Sequence, residues 1–158
     1  MLIDGELRDI QYSKTPIESL TETEILGMLW KKTGVLYEFA GKAGAMIGLN
    51  TIDPNHEHIK AIATFAGKCG IAFQLQDDIL GVVGDERKLG KPVGSDIREG
   101  KRTLILYHSY QAATPQQREF LMSVVGNPRA RVSEIRRAIA LLRELGGVEY
   151  TAEVARLY

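Results

Sequence analysis

Apolar residues recur at helical spacing along most of the chain, with polar residues filling the positions between them. Thr21-Glu22-Thr23-Glu24 has the form of a capping box, in which Thr21 accepts from the Glu24 amide and Glu24 reaches back. Ile25, Leu26, Leu29, Thr33, Leu36 and Ala40 follow at spacings of one helix face, so a helix is expected to run to about Leu49. Asp53-Pro54 reads as a second start, an N-cap with proline at the first helical position. Ile59, Ile62, Ala66, Gly70, Phe73, Asp77 and Leu80 continue from it as a stripe that is apolar until Asp77. Residues 1–20 read as a short helical end and a loop, and residues 84–102 as mostly loop, glycine-spaced and charged. Three more helices are expected: from near Lys101 to about Ala113, from Thr114-Pro115 to near Gly126-Asn127-Pro128, and from Ser133 to the Gly146-Gly147 terminator. A last one starts near Val148. No strand pattern, repeat or low-complexity segment interrupts them, so the fold class is all-α, in a single helical domain over residues 1–158.

Composition narrows the function classes. Twenty acidic and twenty basic side chains give zero formal charge, which argues against general nucleic-acid or membrane-surface binding. No apolar run is long enough to span a bilayer. The one cysteine, Cys69, excludes an intrachain disulfide and suits a reducing compartment. The first residues lack the pattern of a signal peptide, and a cytoplasmic location is expected. His56 and His58 are spaced by two, which does not suit metal binding from one helix face, and are expected to be exposed. His108 and Cys69 read as packing residues.

The chemistry concentrates in Gln74-Leu75-Gln76-Asp77-Asp78 and the charged segment behind it. Adjacent helical residues point about 100° apart, so the two carboxylates would flank a polyvalent ligand rather than share one small site. Gln74 lies one turn before both. A carboxylate at Asp77, in line with an apolar stripe, costs desolvation energy unless positive charge meets it, which leaves a buried salt bridge or a metal ion. Magnesium is commonly held by one or two carboxylates plus phosphates, and lysines nearby would contact the same phosphates. The segment from Gly84 to Lys91 is not a phosphate loop: five residues separate its glycines and Pro92 follows the lysine. An EF-hand fails because the carboxylates are adjacent and no glutamate closes a loop.

The run from Phe73 to Gly81, followed by Leu89-Gly90-Lys91-Pro92-Val93-Gly94-Ser95-Asp96-Ile97-Arg98-Glu99-Gly100-Lys101-Arg102-Thr103, resembles the second aspartate-rich motif and lysine loop of trans-isoprenyl diphosphate synthases, with archaeal geranylgeranyl and farnesyl synthases the nearest in look. Lys32-Thr33 is similar to the Lys-Thr pair on an earlier helix of that family, and Gly5-Glu6-Leu7-Arg8-Asp9 to its Gly-Gln-x-x-Asp element with Glu6 for glutamine. The resemblance implies the C-terminal part of an isoprenoid-synthase helical bundle. It implies magnesium-dependent transfer of an allylic group to isopentenyl diphosphate, with Asp77 and Asp78 holding magnesium. Lys32, Lys91 and Lys101 would hold the allylic diphosphate, and Thr33 and Gln74 would turn oxygen dipoles toward the developing cation.

Two departures accompany it. The family's third aspartate is Gly81, with Asp85 one turn further on. The first aspartate-rich motif and the basic residues for isopentenyl diphosphate, which the family carries upstream of the position of Gly5, have no counterpart, so the N-terminal half is expected to be missing. Three readings follow: a catalytic segment that needs its other half, a non-catalytic partner subunit of a full-length synthase, or a helical fold that retains the motif without ligand. The first two imply exposed apolar helix faces and association with a second copy or a synthase chain.

Overall fold

The computed structural model describes residues 1–84 and 93–158 and is all-α among them. The elements are α1 (Leu2–Ser13), a 3₁₀ turn (Ile17–Ser19), α2 (Glu22–Leu29), a π-turn (Trp30–Gly34), α3 (Val35–Gly48) and α4 (Glu57–Val83). After them come α5 (Ser95–Glu99), α6 (Leu104–Ala112), α7 (Pro115–Val124), α8 (Val132–Glu144) and α9 (Gly147–Leu157). The capping boxes at Thr21 and Thr114 form, with the Glu24 amide donating to Thr21 Oγ1 at 3.3 Å and the Gln117 amide to Thr114 Oγ1 at 3.3 Å.

The 27-residue α4 is the spine. At its middle, Ile71 and Leu75 join a cluster with Tyr12, Leu20, Ile25, Met28, Leu29, Leu104 and Val154. At its C-terminal end, Ile79 and Val82 join a second cluster with Ile105, Leu121, Ile135, Ile139 and Leu142. Each fully buried aliphatic side chain contributes roughly 1.5–3 kcal/mol, and α6 and α9 supply residues to both clusters. The two cores therefore clamp α4 along its second half, the half that carries Gln74, Asp77 and Asp78.

Four expectations are corrected. The helix expected over residues 21–49 is continuous in direction but loosens into the π-turn at Trp30–Gly34. The helix expected at Asp53-Pro54 begins at Glu57: Asp53 Oδ1 accepts from the Asn55 amide at 2.9 Å, a local turn that competes with the helix, and His56 becomes the N-cap through Nδ1. The segment read as loop contains α5, bracketed by Gly94 (φ 84°) and Gly100 (φ 76°), left-handed positions that glycine alone adopts without strain. Finally, the buried stripe of α4 runs through Ile59, Ala63, Gly67, Gly70, Ile71, Leu75, Asp78 and Ile79, one residue out of phase with the expected one. Ile62 and Phe73 face out, at 44% and 58% exposure. The reason is the close approach of the π-turn and α3: Gly34 presses onto Gly67 and Gly70, and Gly41 onto Ala66 and the Ile62 carbonyl, so the small residues of α4 turn toward them. Cys69 is half-buried and belongs to neither core cluster.

Candidate functional site

Because α4 is rotated in this way, Asp78 rather than Asp77 takes the buried position, at 5% exposure; Asp77 is half-buried on the neighbouring face. Thr33, in the π-turn, donates its hydroxyl to Gln74 Oε1 at 3.0 Å, and Gln74 Nε2 donates to Asp78 Oδ1 at 3.4 Å. The three residues form one hydrogen-bonded line from the π-turn into α4.

Lysines stand on two sides of this line. Lys32 Nζ donates to Asp9 Oδ2 of α1 at 2.6 Å and lies 3.7 Å from Glu6. Lys101 Nζ donates to Asp96 Oδ1 at 2.6 Å and lies 3.3 Å from Glu99. Asp9, Lys32, Gln74, Asp78, Lys101 and Arg102 line one narrow cleft. Arg102 is fixed by its Nε donating to the Thr15 carbonyl at 3.1 Å and its guanidinium to the Gly100 carbonyl at 3.0 Å, which ties the loop before α6 to the end of α1. A wider groove at Ala43, Met46, Ile47 and Asn50–Ile52 lies at the other end of α3 and has no charged side chain in its lining. The charged cleft, not that groove, holds the groups able to grip a polyvalent anion.

The electrostatics follow from burial. Burial pushes the Asp78 carboxyl up to about 7; the charges of Asp96 and Asp77 push the same way, and the Gln74 hydrogen bond and Lys101 oppose them. Burial disfavours the charge on Lys101, but the hydrogen bond and charge of Asp96, with Glu99, outweigh it and raise its pKa. Lys32 behaves alike: burial works against the ammonium, while Asp9 and Glu6 hold it above its ordinary value despite Lys101 nearby. Both lysines are therefore firmly cationic in a half-buried cleft.

Six of the seven expected site residues lie among the described residues. Lys32, Gln74, Asp78 and Lys101 come together in the cleft and Thr33 joins through Gln74, whereas Asp77, half-buried on the neighbouring face of α4, does not line it. Lys91 and Asp85 lie outside the described residues. Two site residues were not singled out from the sequence as such: Asp96 and Asp9, the carboxylates that hold the two lysines. Asp96 packs directly over Gly81, where a Cβ would meet its Oδ2 at 2.7 Å. Thus a buried carboxylate lies against the position where the third aspartate of the resembled motif is lacking. Among the described residues no three His, Cys, Asp or Glu side chains converge into a complete metal site.

Comparison with known proteins matches residues 1–142 to the polyprenyl synthetase family model. A short chain isoprenyl diphosphate synthase of Methanocaldococcus jannaschii is 41% identical over 130 residues, which cover 82% of this chain and 38% of that protein. The crystal structure of a geranylgeranyl pyrophosphate synthetase from Pyrococcus horikoshii superimposes with a TM-score of 0.82 at 40% identity, over 98% of this chain and 45% of that one. A Caulobacter crescentus polyprenyl synthase, solved with calcium and isoprenyl diphosphate, superimposes with a TM-score of 0.86 at 29% identity, over 98% of this chain and 45% of that one. The chain thus spans less than half the length of these relatives. No helix among the described residues is long and apolar enough to cross a membrane.

Proposed function

The chain belongs to the polyprenyl synthetase family of isoprenoid biosynthesis, and on that premise we propose that it carries the diphosphate-gripping half of a prenyl-transfer site. The observation that supports this reading is the Thr33–Gln74–Asp78 line set between two ammonium groups in one cleft. Lys32 and Lys101, together with Lys91 as the resemblance implies, hold the oxygens of an allylic diphosphate as point charges. Asp77 and Asp78 are hard oxygen donors, and the incomplete carboxylate set suits magnesium, which leaves most of its shell to water and phosphate. When bound, magnesium would neutralise diphosphate charge and improve the leaving group. As the allylic carbon–oxygen bond breaks, the Thr33 hydroxyl oxygen and the Gln74 carbonyl, whose orientations are fixed by their mutual hydrogen bond, offer negative dipoles to the cation. The double bond of isopentenyl diphosphate then forms the new carbon–carbon bond and a proton is lost. The residues for that second substrate belong to the part of the relatives that this chain does not span.

Calorimetry with inorganic diphosphate and magnesium chloride tests the grip. The native chain is expected to bind only when both are present, and Lys101→Met to lose at least tenfold in affinity. Binding equal in the two proteins would rule out the site.

A second reading concerns what completes the bundle. Leu36, Phe39, Phe65 and Phe73 on α3 and α4 are 58–68% exposed, and Ile47 is 81% exposed. A patch of this kind marks an interaction surface, and we assign it to packing against a second chain, another copy of this one or a synthase chain. Light scattering is expected to find the chain self-associated when alone. A strict monomer that takes up no synthase chain would end this reading.

A further inference from the structure

Lys32 and Thr33 sit in the π-turn, and its surroundings are unusual. On the α4 side, a Cβ on Gly70 would come within 2.7 Å of Gly34 Cα, and one on Gly34 within 3.0 Å of the Gly67 carbonyl oxygen. On the opposite side, Gly5 of α1 lies directly on the turn. A Cβ there would collide with the Lys32 nitrogen, with the Lys31 carbonyl carbon at 2.6 Å and with Lys32 Cα at 2.7 Å. All three obstacles are backbone atoms, so no rotamer change relieves the clash. Gly5 itself is the fourth residue of α1 and has no left-handed φ that would call for glycine. Glycine there costs α1 roughly 1 kcal/mol against alanine, and the contact with the π-turn is what requires it.

The seating aligns charge as well. With Gly5 in place, Asp4 meets Lys31, and Asp9 and Glu6 meet Lys32. Helix spacing brings positions 5 and 9 to one face, so the glycine that touches the Lys32 backbone and the aspartate that holds its ammonium act from the same side of α1. A π-turn is a loosened stretch of helix, and this one is clasped between two helices that leave no room for a methyl group on either.

We propose that Gly5 is a positioning residue: its contact with the π-turn backbone sets the direction in which Lys32 enters the cleft beside Gln74, Asp78 and Lys101. What Lys32 grips there rests on the function proposed above; that Gly5 sets its direction does not.

The test compares Gly5→Ala with Gly44→Ala, because a Cβ at Gly44 meets nothing within 4 Å. Three quantities are read: helicity, the ammonium resonance and titration of Lys32 by NMR, and affinity for inorganic diphosphate with magnesium chloride. Gly44→Ala is expected to match the native chain in the last two. Gly5→Ala is expected to remain helical, to move the Lys32 resonance, to lower its pKa as the Asp9 contact opens, and to bind at least tenfold more weakly. An unmoved Lys32 resonance in Gly5→Ala overturns the proposal. If native chain and variants alike fail to bind diphosphate, the functional reading falls, and the Lys32 resonance alone judges Gly5. Should Gly5→Ala not fold, hydrogen exchange on the native chain decides: the Lys32 and Thr33 amides are expected to open together with α1. If they stay protected while α1 opens, the turn does not depend on α1 and the proposal is wrong.

Discussion

Asp78→Asn is expected to stabilise the ligand-free chain at pH 8 and to leave it nearly unchanged at pH 4, while reducing magnesium-dependent diphosphate binding at least a hundredfold. The first effect follows from linkage. In the folded chain the carboxyl is raised by burial to about 7 from an ordinary 3.8. Between these values the folded state holds a proton that the unfolded state has released. Stability therefore falls as pH rises from about 4 to about 7, and above that range the cost of a buried carboxylate is present in full. At about 1.4 kcal/mol per pKa unit, that cost is of order 4 kcal/mol before local relaxation reduces it. Asparagine keeps the shape and the Gln74 contact but carries no charge to bury. Urea unfolding with a chelator present, at both pH values, checks the sign, and a difference between variant and native chain that is the same at pH 4 and pH 8 refutes it. The second effect has the opposite sign because, on the function proposed above, a bound cation would stabilise the same carboxylate, by an amount that grows with ligand concentration. A residue whose removal helps the empty protein and ruins the liganded one is held in place for binding, not for folding.

Gly70→Val is expected to lose about 3 kcal/mol of stability, the largest folding effect we expect of any single substitution in the α3–α4 contact. A Cβ at this position would stand 2.7 Å from Gly34 Cα and 3.2 Å from both Gly34 N and Tyr37 Cβ. Backbone faces it, so the helices must separate, and overpacking of this kind costs about 1–3 kcal/mol or more. Valine also brings β-branching into a helix. Moving Gly34 moves the end of the π-turn, and the 3.0 Å bond from Thr33 to Gln74 spans the same crossing. Denaturant titration is expected to show a lower midpoint with an unchanged slope. Gly44→Ala, where the added methyl meets open space, is expected to gain a few tenths of a kcal/mol to 1 kcal/mol. Equal midpoints for Gly70→Val and the native chain would mean that the close helix approach is not a constraint.

Much of this was legible because it is local. The capping boxes at Thr21 and Thr114 depend on side chains three residues apart, and the Gly146-Gly147 terminator on one left-handed residue, Gly146 with φ 76°. Such features need no partner from elsewhere in the chain. The aspartate pair and Gln74 stand out in the sequence for a related reason: charged and amide groups on an otherwise apolar helix demand an explanation that does not depend on knowing the fold, whereas Lys32 is singled out only by the family resemblance.

The sequence alone thus determined that the protein is helical, where most helices stop, and which polar side chains stand out on its apolar helices. Only the tertiary structure decided the phase of α4. Asp77 and Asp78 both fit a helical stripe, and which one is buried depends on how closely the π-turn and α3 approach, a matter of glycine contacts between residues twenty or more positions apart. It also decided the partners. Asp9 reaches Lys32 across 23 positions and Thr33 reaches Gln74 across 41. Asp96 is close to Lys101 in sequence, but only the left-handed turns around α5 and the bare backbone at Gly81 give it a buried place. The physical reason is the same in each case: helix propensity is settled within one or two turns, whereas the direction of a side chain is settled by the surface that packs against its helix.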